Sequence, residues 1–94
     1  DRRAISLALE GLAWVRARLG DGAGAAVSLG AAAAIRGGPA EAFPRMTPER
    51  LVQVEQAVCS LVGAEAAATG ERRGREGPDE VVAELLAGMT TGPS

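Results

Sequence analysis

The stretch Gly20-Asp21-Gly22-Ala23-Gly24 has the glycine density of a loop that cradles phosphate. A Walker-type loop needs a lysine followed by Ser or Thr at a fixed offset, so that an ammonium reaches the phosphates and a hydroxyl the magnesium. The chain has no lysine; all ten basic residues are arginine. A dinucleotide fingerprint needs a strand ahead of it, and the residues ahead of Gly20 have helical spacing. Gly20 and Asp21 therefore read as a helix stop and an N-cap. Cys59 is the one cysteine, which excludes an internal disulfide and a zinc cluster. The chain contains no histidine to activate that thiol, so Cys59 is expected in or near the core, beside the apolar face of its helix. The lack of histidine also removes the commonest general base and metal ligand. Of the carboxylates Glu10, Glu41, Glu49, Glu55, Glu65, Asp79 and Glu80, two (Glu49 and Asp79) fall in first helical turns, where they complement the helix dipole. The others are expected in solvent. No catalytic, cofactor-binding or metal-ligating set is assigned, and the chain reads as a non-enzyme that carries no cofactor.

Two other groups could bind rather than react. Arg72, Arg73 and Arg75 could touch an acidic partner, but Glu71 and Glu76 flank them and nearly cancel their charge. With glycines between them, residues 70–77 read as a solvated linker. Trp14, the sole tryptophan, suits both a core anchor and an interface, and its expected core neighbours are the second or third helix. It falls in a strip with Leu7 and Gly11 at i, i+4, i+7. Leu7, Gly11 and Trp14 are the candidate interaction surface. Gly11 costs about 1 kcal/mol against alanine inside a helix; close approach of a neighbouring helix would be a reason to keep it, and chance in a glycine-rich chain is the alternative.

The elements that position these residues are helical. At 94 residues the chain is long enough for one domain, assigned to residues 1–89, and its core must be thin. Residues 4–19 form a first helix, with Ile5, Leu9, Leu12 and Leu19 at helical spacing and Ala8 and Val15 filling the stripe. Residues 22–36 form a second, with Ala25, Leu29 and Ala32 as its stripe and Ala26 and Ala33 beside it. The joint between them implies an antiparallel hairpin. Residues 37–46 are a loop in which Phe43 folds back on the core. Thr47-Pro48-Glu49 starts a third helix over 48–62, with hydroxyl cap, proline at N1 and a carboxylate in the first turn. Leu51, Val54, Val58, Leu61 and Val62 form its apolar face. Gly63 kinks or ends it, with an extension to 69 left open. Pro78-Asp79-Glu80 opens a last helix over 78–88, with Val81, Val82, Leu85, Leu86 and Met89 on its apolar side, and residues 90–94 form a frayed tail. β-branched residues never alternate long enough to suggest a strand. The fold class is all-α: a helical hairpin plus two to three further helices, in a small bundle or at the end of a solenoid.

The net charge of −2 and the pI near 5.1 argue against a nucleic-acid surface. No apolar run reaches the roughly 18 residues of a membrane span, and no signal peptide is legible, so no membrane partner and a cytoplasmic location are expected. A start at Asp1 rather than Met suggests a piece of a larger protein.

The first two helices resemble a tetratricopeptide-type unit. Leu9, Leu12, Ala13, Ala25, Leu29 and Ala32 fall where that repeat places its packing residues, while Arg16 stands in place of a large residue and Gly37 in place of a terminal proline. A wider resemblance covers roughly residues 4–87. The segments Ala8-Leu9-Glu10-Gly11-Leu12-Ala13, Gly20-Asp21 and Leu29-Gly30-Ala31-Ala32, with Ala34 and Arg36, resemble the C-terminal helical end of large multidomain ATPase transcription regulators of the LuxR and antibiotic-regulatory types in high-GC bacteria. Pro48-Glu49-Arg50, Gly63, Gly74-Arg75 and Pro78-Asp79-Glu80-Val81-Val82-Ala83 continue that pattern. Val62-Gly63 replaces the family's Leu-Gly, and Ala67 and Glu71 stand near its usual aromatics. The resemblance implies a non-catalytic module that receives a signal or a protein partner, or packs on preceding helical repeats of the same chain, with self-association open and no direct contact with DNA. A free-standing helical adaptor or a small-ligand-binding bundle is the alternative.

Overall fold

The computed structural model describes residues 2–36 and 47–91; the side chains of residues 2, 85, 86 and 88–91, and the loop that carries Phe43, lie outside the described residues. The described residues form five α-helices and no strand: α1 (Arg2–Arg18), α2 (Gly22–Arg36), α3 (Pro48–Val62), α4 (Ala64–Glu76) and α5 (Pro78–Thr91). The all-α reading holds. No helix among the described residues is long and apolar enough to cross a membrane.

The helix ends follow from local chemistry. Gly20 adopts φ +89°, which a glycine takes at little cost. Its amide donates to the Ala17 carbonyl at 3.2 Å and the Asp21 amide donates to the Arg16 carbonyl at 2.8 Å. These two bonds are the Schellman pattern that satisfies orphan carbonyls at a helix end. One residue on, the Asp21 carboxylate accepts from the Gly24 amide at 2.9 Å and caps α2. The Thr47 hydroxyl accepts from the Arg50 amide at 3.3 Å, with Pro48 in the first position of α3. Gly63, also at φ +89°, is the whole joint between α3 and α4.

α2 is the axle of the bundle, packed by α1, α3, α4 and α5, most extensively by α4 and α1. Its surface is small, and Ala25, Ala26, Ser28, Gly30, Ala31 and Ala32 are all buried. Two apolar clusters lie against it. One joins Ala13 and Ala17 of α1, Ala25, Ala26 and Leu29 of α2, Val54 and Val58 of α3 and Ala67 of α4. The other joins Leu9, Ala31, Ala32, Ile35 and Val81. Alanine dominates the first cluster and supplies two of the five residues of the second, so closeness of approach matters here as much as bulk.

The largest departure from the sequence reading is α4. Residues 70–77, expected to be a linker, are helical as far as Glu76. Glycine lowers helix propensity, and four residues later a second glycine repeats the penalty, which suggested an open chain. Tertiary packing reverses that. Gly70 and Gly74 lie one helical turn apart on the side of α4 that meets Ala26 and Gly30 of α2. A Cβ on Gly70 would stand 2.7 Å from the Ala26 Cβ, and one on Gly74 would stand 2.7 Å from the Ala31 amide nitrogen and overlap the Val27 carbonyl. A Cβ on Gly30 would overlap the Glu71 carbonyl. Small residues one turn apart let two helix backbones touch, and at Gly30 and Gly74 the Cα–H groups face carbonyl oxygens, the geometry of weak Cα–H···O contacts. The arginines Arg72, Arg73 and Arg75 remain exposed.

Two further expectations are corrected. Cys59 is exposed rather than near the core, because Val54 and Val58 supply the buried face of α3 and the helical turn carries Cys59 away from it. Leu61, assigned to the same apolar face, is 45% exposed.

Gly74→Ala and Gly30→Ala should each lower stability by about 2–3 kcal/mol or more, the range for overpacking a tight site. Gly11→Ala, where an added Cβ meets nothing within 4 Å, should raise it by about 1 kcal/mol through helix propensity. Urea unfolding followed by circular dichroism separates the two outcomes.

Candidate interaction surface

The orientation of α1 is set by its polar residues. Ser6 and Glu10, one turn apart, both face inward and are 1% and 2% exposed. The Ser6 hydroxyl donates to the Ala32 carbonyl at 3.1 Å. The Glu10 carboxylate forms a buried ion pair with the Arg36 guanidinium from the last turn of α2. An unpaired charge at this depth would cost several kcal/mol, so the pair fixes the rotation of α1 about its axis. Leu9, Ala13 and Ala17 complete the inward face. At the other end of α1, Arg16 donates to the Gly24 carbonyl and the Ser28 hydroxyl, both at 3.3 Å, and lies 3.9 Å from the Asp21 carboxylate. Ser6 near the start of α1 thus meets Ala32 late in α2, and Arg16 near its end meets Gly24 early in α2, the antiparallel course that the short joint requires.

The expected stripe of α1 is thereby turned outward. Ile5, Val15 and Leu19 are exposed, Ala8 is exposed and Leu12 is half-buried; of the stripe only Leu9 is in the core. The physical reason is space. α2 presents small side chains, so the adjoining face of α1 must be small as well, and Ala13 and Ala17 fit where leucines do not. The expectation that Glu10 lies in solvent is corrected by the same pair.

Of the candidate interaction residues, Leu7 is 45% exposed. Gly11 is exposed with open space above its Cα, so no helix of the described structure approaches it. Trp14 is half-buried, packed on the alanine-rich cluster. The guanidinium carbons of Arg18 and Arg50 lie 4.8 and 4.7 Å from its ring centroid, close enough for cation–π attraction. The core role expected for Trp14 is thus half of its environment. Ala4, Leu7, Ala8, Gly11, Val15 and Leu19 make a continuous exposed apolar face along α1, with Trp14, Arg18 and Arg50 at one end. Comparison with family models, curated proteins and solved structures finds no match for this chain.

The sequence reading missed Val15, Leu19, Arg18 and Arg50 as parts of one surface. The available signal was that α1 is apolar on nearly every side while its inward face carries Ser6 and Glu10. A helix apolar all round is covered all round.

A separate small cleft of about 140 Å³ lies where Glu10, Leu29, Ala33, Arg36, Leu51, Glu55 and Glu71 meet. Burial pushes the Glu71 carboxyl above its ordinary value, the nearby charge of Glu55 adds to that, and Arg75 opposes it. Among the described residues no group of three or more His, Cys, Asp or Glu is placed to hold a metal ion.

Removing one partner of the buried pair, Glu10→Ala or Arg36→Ala, should cost about 3–5 kcal/mol, while the apolar double variant Glu10→Leu/Arg36→Met should recover most of that loss; chemical unfolding of the native chain and the three variants checks this. Glu71 gives a pH dependence. Its carboxyl holds a proton more tightly when folded than when unfolded, so its favourable contribution is complete below pH 4.5, the ordinary value, and is lost as pH rises through the folded value. Glu71→Gln should therefore raise the melting temperature at pH 7, and the gain should vanish below pH 4.5.

Proposed function

We propose that this chain is a non-catalytic helical docking module whose working surface is the outward face of α1. One observation carries the reading: α1 buries a serine and a glutamate and leaves Leu7, Val15 and Leu19 at 45%, 45% and 80% exposure. Contiguous exposed apolar side chains on a small protein mark an interaction site. The partner that fits is an α-helix, because the face runs along one helix and is notched at Gly11 between Leu7 and Val15. The sequence resemblance of the first two helices to a tetratricopeptide-type unit, and of the chain to the C-terminal region of multidomain bacterial regulators, supports the same reading. In such an assembly the α1 face would receive a preceding helical pair or a separate signalling protein.

The small-ligand alternative can draw on two shallow hollows open to solvent, of about 570 Å³ beside Val27 and Gly70 and about 610 Å³ beside Cys59, which lack a converging set of buried polar groups, and on the more enclosed Glu10–Arg36–Glu55–Glu71 cleft. The 140 Å³ of that cleft lies below the roughly 300–1,000 Å³ of ordinary ligand pockets, and its buried pair is already internally neutralised. Docking is the better reading.

The test is binding of a synthetic amphipathic helical peptide with leucines at i, i+3, i+4 and i+7, followed by Trp14 fluorescence. The native chain should bind it, and a scrambled peptide should not. The triple variant Leu7→Ser/Val15→Ser/Leu19→Ser should keep its helical circular dichroism and lose at least tenfold in affinity, about 1.4 kcal/mol. Equal binding of the scrambled peptide would reject the proposal.

A further inference from the structure

We infer that the helix received by the α1 face is acidic at its flanks, with carboxylates that dock on the Trp14–Arg18–Arg50 cluster. This rests on the docking reading and adds the chemistry of the partner. The first ground is charge. α1 carries four arginines and one glutamate, a formal +3 (4 − 1), in a chain whose total is −2. The single glutamate is buried against Arg36, so it offsets nothing on the surface. Among the described residues, every charge that α1 shows to solvent is positive.

The second ground is the geometry of the cluster. Two guanidinium groups, from the last turn of α1 and the first turn of α3, lie within 5 Å of one indole centroid. Both arginines are exposed. Among the described residues neither has a carboxylate within ion-pair distance. Two cations held near one ring repel each other, and a carboxylate between them relieves that repulsion through charge-assisted hydrogen bonds. The cluster also continues the apolar face: at 100° per residue, Trp14, Leu7, Arg18 and Gly11 fall within about 60° of the circumference of α1. One partner helix can therefore cover Leu7 and Gly11 and set a carboxylate at Trp14.

Other occupants fit less well. A second copy laid symmetrically on the same face would oppose arginine to arginine, and like charges disfavour such pairing. A lipid surface would meet the apolar and basic residues, but it has no use for the open notch at Gly11, which a helix backbone fills.

The experiment uses the 94-residue chain and three helical peptides that share one leucine stripe and differ only in flanking residues: Glu, Gln or Lys. Binding is read by Trp14 emission and by titration calorimetry. The Glu-flanked peptide is expected to bind about tenfold more tightly than the Gln-flanked one at low salt, in line with a few exposed charge pairs. The preference should shrink in 0.5 M salt, where screening is strong. Arg18→Gln/Arg50→Gln should abolish the preference, so that the Glu- and Gln-flanked peptides bind the variant with equal affinity. Equal binding of all three peptides would overturn the acidic-partner inference while leaving the docking face in place. Failure of all three would overturn the docking reading itself. Adsorption to phosphatidylserine vesicles without peptide binding, or a self-paired chain by sedimentation that excludes the peptides, would also overturn the inference.

Discussion

The buried pair of Glu10 and Arg36 decides which way α1 faces. A carboxylate at 2% exposure must keep its partner, and that partner sits at one place, the end of α2. With Ser6 bonded to the Ala32 carbonyl a turn earlier, α1 has two polar anchors along one edge and cannot roll. Everything on the opposite side is then held in solvent, whatever its hydropathy. The exposed leucines of α1 follow from a polar interaction in the core.

That pair works because α2 is narrow. Its buried surface is alanine, glycine and serine with few larger side chains, so neighbouring helices approach until backbones or Cβ atoms meet. α4 shows the limit of this. It is a polar helix with only Ala67 and Gly74 buried, and it is held by Gly70 and Gly74 lying directly on Ala26, Val27 and Ala31. Contact here comes from shape, since α4 has almost no apolar bulk to bury. The same narrowness admits Ala13 and Ala17 from α1 and excludes Leu7, Leu19 and Val15. One property of α2 accounts for both the packing of α4 and the bare face of α1.

What was legible in the chain were features that act locally. Asp21 and Thr47-Pro48 announce helix starts because their side chains bond amides within three residues. Gly20 and Gly63 announce stops because they take a positive φ. The bounds of α2 and α3 could therefore be read directly. What was not legible depended on the partner. Periodicity finds two stripes on α1, and neither is the covered face; that face, Ser6, Leu9, Glu10, Ala13 and Ala17, is set by Arg36, 26 positions from Glu10. Gly70 and Gly74 read as linker by propensity, and only the small surface of α2 turns them into contacts. Cys59 was misplaced for a related reason, since one residue of rotation on α3 separates the buried Val58 from solvent. For the candidate surface, Leu7 and Gly11 were found from spacing, whereas Arg50 joins from another helix and had no local signal.

The outward orientation of α1 is the claim on which the functional reading stands, and it can be measured without knowing any partner. Hydroxyl-radical footprinting with mass spectrometry reports side-chain access residue by residue. The account predicts rapid modification of Leu7, Val15 and Leu19 and strong protection of Leu9 in the same helix. Protection of Leu7 and Val15 with rapid modification of Leu9 would mean that α1 is turned the other way, and the docking face would not exist.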